Sequence, residues 1–119
     1  MSRIYLSYDT SDPETWTVER SYQRDTSLGT VVVPQGFATD LASTPHTVWH
    51  RFPRWGRWSG AALIHDFFYR TKPAGLTRYR ADRIMFELMK QDGVRYGDAA
   101  IIFRAVREFG ESAWRQKGA

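Results

Sequence analysis

His65, Asp66 and Tyr69 lie within one largely apolar stretch, GAALIHDFFYR (60–70), and Asp82 follows in RADRIMFELMK (80–90). An imidazole and a carboxylate buried among apolar residues cost free energy unless both find partners. His65 and Tyr69 are four residues apart and Asp66 and Tyr69 three apart, which sets all three over one broad face of a helix. Asp82 precedes Met85 and Phe86 by three and four residues and shares their dry stripe, whereas Arg83, Glu87 and Lys90 mark the wet side. The connection TKPAGLT (71–77) is short enough to hold the two helices antiparallel. Asp82 is therefore the expected partner of His65.

Such a pair supports a specific chemistry. A carboxylate that accepts the proton of one imidazole nitrogen fixes the tautomer and leaves the other nitrogen as a general base toward water. The neighbouring Asp66 would hold a divalent cation that polarises a carbonyl or phosphoryl oxygen. The alternative is structural: a His–Asp pair between helices that only satisfies its own hydrogen bonds, with Tyr69 packed beside it. On the residues alone the structural alternative is favoured.

Two other groupings carry less. His46 and His50 have the four-residue spacing of a zinc pair on a helix, but two histidines without further ligands are read as packed or exposed. WHRFPRWGRW (49–58) interleaves Trp49, Trp55 and Trp58 with Arg51, Arg54 and Arg57. That pattern suits a lipid headgroup layer, a nucleic acid or a protein partner, or else tryptophans that cap the core.

The elements that must position these residues divide at Pro34. Before it, RIYLSY, TWTVERSY and GTVVVP have strand character, separated by turn chemistry in DTSDPE and RDTSLG. Residues 1–34 are thus expected to form a small antiparallel sheet with a hairpin. Residues 35–57 read as a loop with one short helix, capped by Ser43 and with Pro45 in its first turn. Residues 58–119 read as the helical part, with main helices near 58–71, 77–92 and 98–109. Asp98 is expected to cap the last, and Gly110 to end it. The fold class is α+β, a single domain of sheet followed by helical bundle.

The 119 residues are 42% hydrophobic and 25% charged, and include no cysteine. Disulfides and thiolate metal sites are excluded, and no stretch approaches the length of a membrane span. The net charge of +4 rests mainly on arginine, since only Lys72, Lys90 and Lys117 are lysines. Arginines spread along the chain read as a solvated surface, and charge alone argues against nucleic acid as a partner.

VPQGFATDLASTP, WGRWSGAALIHDFFYR, ADRIMFELMKQDGV and AIIFRAVREFG, four blocks in order from Val33 to Gly110, resemble a phage and prophage family known as domain of unknown function 1353. The resemblance implies a phage or prophage origin; the chain is expected to be made in the host cytoplasm, and a place in the virion is one of two functions to weigh. Other phage structural proteins or further copies of the chain would be its partners. The helix pair alone is similar to the site of secreted phospholipases of the A-two class, in their bacterial and fungal branch. That similarity implies His65 as the base, Asp66 as a calcium ligand, and Tyr69 with Asp82 as supports. The chain departs from that class in lacking its cysteines and a glycine-rich calcium loop, for which Asp40 in PQGFATD is the substitute. The two expectations are a virion-associated structural component or, alternatively, a cation-assisted hydrolase of an envelope ester or amide, acting on lipid or peptidoglycan during entry or lysis.

Overall fold

The computed structural model describes residues 3–116 and divides into two compact units, at Asp40 and Leu41. The first contains β1 (Leu6–Asp9), β2 (Asp12–Val18), β3 (Tyr22–Thr26), β4 (Gly29–Val33) and β5 (Ala38–Thr39). These form an antiparallel three-stranded sheet in the order β1-β2-β5, and a separate β3–β4 hairpin.

The expected single strand TWTVERSY is broken after Val18, so its ends serve different sheets. Pro13, expected in a turn, lies on β2. Its missing donor is tolerated there because β5 pairs only with Trp16 and Thr17. The hairpin turns through Ser27 and Leu28. Thr26 Oγ1 accepts the Leu28 N–H at 3.1 Å, and Gly29 takes φ +99°, a region that favours glycine. Strand β5 falls within the stretch expected to be loop, so strand pairing continues past Pro34.

The second unit contains α1 (His46–Arg51), α2 (Ser59–Thr71), α3 (Arg78–Gln91), α4 (Tyr96–Phe109) and, beyond the expected helices, the short α5 (Glu111–Gln116). Helix α2 carries small residues, Gly60, Ala61 and Ala62, at its start and Leu63, Ile64 and Phe68 farther on, and is buried along most of its length. It packs on α3, which packs on α4. Ile84, Met85, Leu88 and Met89 of α3, with Ile102 and Val106 of α4, are buried as well.

The helix ends agree with expectation at α3 and correct it at α4 and α1. Thr77 caps α3 through its side chain, which accepts the Arg80 N–H at 3.1 Å. Helix α4 begins two residues before Asp98, with Arg95 at its cap; Asp98 lies in the first turn, where its charge favours the helix dipole. Ser43 does not cap α1. Pro45 occupies that cap position, outside the helix, and the Ser43 hydroxyl is directed elsewhere.

Candidate functional site

The expected meeting of His65 and Asp82 is present. His65 Nε2 lies 2.7 Å from Asp82 Oδ1, and Tyr69 Oη donates to the same oxygen, also at 2.7 Å. The other carboxylate oxygen, Oδ2, accepts from Arg107 Nη1 at 2.7 Å and from Arg78 Nη1 at 3.5 Å. His65, Asp66, Tyr69 and Asp82 are all 0% exposed.

Arg78 does more than balance charge. It donates from Nη1 to Val106 O and from Nη2 to Arg107 O, both at 2.9 Å, so it satisfies carbonyls at the C-terminal end of α4. Its Nε lies 3.2 Å from Glu111 Oε2. Asp82 and Glu111 against Arg78 and Arg107 sum to zero charge, which suits a neutral imidazole at their centre.

Burial opposes ionisation of Asp82 and is the largest influence on it. The hydrogen bond from His65, then the bonds from Tyr69 and Arg107, outweigh it and hold the carboxyl below the usual carboxylate range. Tyr69 is pushed the other way, first by burial and then by the negative Asp82, so its phenol stays protonated far into the alkaline range. An ionised Asp82 can only accept, so His65 carries a proton on Nε2. In the neutral ring Nδ1 is then an acceptor.

Ser43 meets that acceptor. Its Oγ lies 3.0 Å from His65 Nδ1, which completes a hydroxyl–imidazole–carboxylate chain from Ser43 through His65 to Asp82. The turn that delivers it closes by Thr44 N–H donating to Leu41 O at 3.1 Å, with Leu41 at φ +57°. A leucine in that region is uncommon and carries strain of about 1–2 kcal/mol.

Asp66, expected as a cation ligand, is committed to other partners. Its Oδ2 accepts from Arg70 Nε at 2.9 Å, and its Oδ1 lies 3.4 Å from the Ser43 backbone N–H. A calcium ion seeks six to eight oxygens and would have to displace the Arg70 guanidinium to be held there. No group of three or more His, Asp or Glu side chains is placed to hold a metal among the described residues. Asp40, the substitute ligand, is the last residue of the first unit, directly after β5, and is itself engaged. His46 and His50 lie exposed on α1.

The sequence pattern places His65, Tyr69 and Asp82 together but not their charged and hydroxyl partners. Arg70 and Arg78 stand four residues from Asp66 and Asp82, a helical pairing signal that was there to use. Arg107 and Ser43 reach the site only through tertiary contact. Gly110 ends α4 as expected, although its φ of −84° is ordinary. What matters there is space, because a Cβ would sit 2.4 Å from Val106 O and 3.0 Å from Tyr69 Oη.

These features define an α+β protein whose helical unit is built around a buried polar cluster. The chain belongs to the family described as protein of unknown function DUF1353, whose sequence profile matches residues 15–106. No curated protein and no solved structure gives a significant match to it. Among the described residues no helix is long and apolar enough to cross a membrane.

Proposed function

We propose that this chain is a phage- or prophage-encoded structural component of a virion, tail or other part, in which the His65–Asp82 cluster locks the helical unit. The observation that carries this reading is the complete engagement of the polar side-chain atoms of this cluster. Both nitrogens of His65, the Tyr69 hydroxyl and all four carboxylate oxygens of Asp66 and Asp82 have partners within the protein. A network so satisfied rigidifies the fold and holds no group in reserve for a ligand. Exposed aromatics outside it, Tyr79, Tyr96 and Phe109, offer contact surface to neighbouring subunits, whether other phage proteins or further copies. The protein would be made in the host cytoplasm and carried into the particle. Quantitative mass spectrometry of gradient-purified particles tests this. A fixed copy number per particle is expected, and absence from intact particles would overturn the reading.

A second reading is favoured by the Ser43 contact. If residues 41–45 swing away, His65 Nδ1 becomes a base toward water, in the arrangement to which the phospholipase resemblance points. The hydroxyl of Thr44, the residue after Ser43, is buried with no hydrogen-bond partner, as a group reserved for a ligand would be. The substrate would be an ester or amide of the bacterial envelope. Turnover of phospholipid vesicles or peptidoglycan that disappears in His65→Gln, with the fold retained, would establish this reading over the first.

A further inference from the structure

Arginines that look evenly spread along the sequence are not evenly spread between the two units. Residues 41–119 carry fourteen Lys and Arg against seven Asp and Glu, whereas residues 1–40 carry three against six. The chain's +4 is therefore +7 on the helical unit and −3 on the other. Inside the helical unit, Arg70, Arg78, Arg83, Arg107 and Arg115 are taken up by carboxylates. Arg51, Arg54, Arg57 and Arg95 form no ion pair among the described residues.

These four gather at one end of the helical unit. Arg57 Nη1 lies 3.5 Å from Gly93 O, which sets the 52–58 segment beside the α3–α4 turn that carries Arg95. Helix α1, ending at Arg51, packs on α4. Arg51, Arg57 and Arg95 are exposed and Arg54 is half-buried. The segment is ordered by its own contacts. Trp58 Nε1 donates to Pro53 O at 2.9 Å, its ring packs edge-on to Phe52, and Gly56 leaves room for that ring, which a Cβ would approach to 2.7 Å. Asp92, the carboxylate of the turn, is half-buried and engaged.

We infer that this end of the helical unit binds the phosphodiester backbone of a nucleic acid through Arg51, Arg54, Arg57 and Arg95. Guanidinium groups present planar forks that match phosphate oxygens, and an excess of unpaired ones on an ordered loop is the footprint of a polyanion site. Nucleic acid is favoured over a lipid surface because Trp58 is folded down and Trp55 is half-buried and engaged. The tryptophans of the patch are therefore turned inward, and the exposed ring beside Arg95, Tyr96, stands edge-on to Phe86 under the Lys90 ammonium rather than as a free apolar anchor for a bilayer. Binding of this kind is independent of sequence and dominated by counterion release.

The test is fluorescence anisotropy of the full chain with a labelled DNA duplex of about 20 base pairs, over roughly 50 to 200 mM salt. Four phosphate contacts give a log–log salt slope of about −3.6, a weakening of roughly two orders of magnitude across that range. Changing all four arginines to Gln should abolish most of the slope. Each single change should lower it by about 0.9, and this serves if the quadruple variant fails to fold. Lys72→Gln with Arg80→Gln, at the opposite end of the α2–α3 pair, should leave the slope unchanged. An equal loss from that control pair, a slope untouched by the patch variants, or binding to phosphatidylglycerol vesicles without binding to DNA would overturn the inference.

Discussion

His65 and Tyr69, one turn apart on α2, donate to the same oxygen of Asp82, each at 2.7 Å. The second oxygen of that carboxylate takes Arg78 from α3 and Arg107 from α4. One buried side chain on α3 thereby ties three helices. Its removal is a different matter from the loss of a single hydrogen bond.

Asp82→Ala leaves His65 and Tyr69 without their acceptor and takes the carboxylate from Arg107 and Arg78, of which Arg78 keeps two carbonyls and Glu111. Considered as one partner of a buried imidazole it would cost roughly 1–3 kcal/mol. As the anion of a buried charge cluster it should cost roughly 3–5 kcal/mol. Urea titration of wild type and variant measures the difference.

The cluster should limit stability at both ends of the pH scale. The folded-state pKa of Asp82 is depressed, so its contribution is present above the unfolded value of about 3.9 and is lost as pH falls through the folded value. Tyr69 is shifted upward, so its contribution is present below the unfolded value of about 10 and is lost as pH rises above it. Tyr69→Phe should flatten the alkaline limb of a plot of melting temperature against pH and leave an acid limb in place. An unchanged alkaline limb would show that the phenol is not held in this way.

The Asp66–Arg70 pair predicts indifference to cations. A ligand that binds only the folded state raises the melting temperature with its concentration. Neither calcium nor magnesium should do so here, and Asp66→Asn should lower the melt with or without cation. A calcium-dependent rise that Asp66→Asn removes would show that the ion displaces Arg70.

Gly110→Ala sets two effects against each other. At φ −84° an alanine would ordinarily stabilise a helix end by about 0.4–1 kcal/mol. The added Cβ meets the Val106 carbonyl at 2.4 Å, and backbone at that distance cannot yield cheaply. Overpacking of this kind costs roughly 1–3 kcal/mol, so a net loss is expected in thermal or urea unfolding.

Most of the helical unit was legible because 3.6-residue periodicity marks its buried faces, and the pairing of His65 with Asp82 follows from two such faces joined by a short loop. The sheet was less legible. Val18 and Tyr22 share one β-rich run, and nothing local shows that the chain leaves one sheet between them for a hairpin. Ser43 has the residue type and position of a helix cap, and only the fold reveals that its hydroxyl turns to His65 instead. Arg107 reaches Asp82 from 25 positions away, a contact that no local pattern encodes.

The sealed character of the cluster is tested most directly at the imidazole proton itself. Long-range ¹H–¹⁵N NMR of the folded chain should show His65 as the Nε2–H tautomer, with that proton bonded to Asp82. In D₂O the proton should persist as long as the most protected backbone amides of α2 and α3, because only global opening exposes it. An Nε2–H lost to solvent within the dead time, or a ring protonated on Nδ1 instead, would contradict a structural lock.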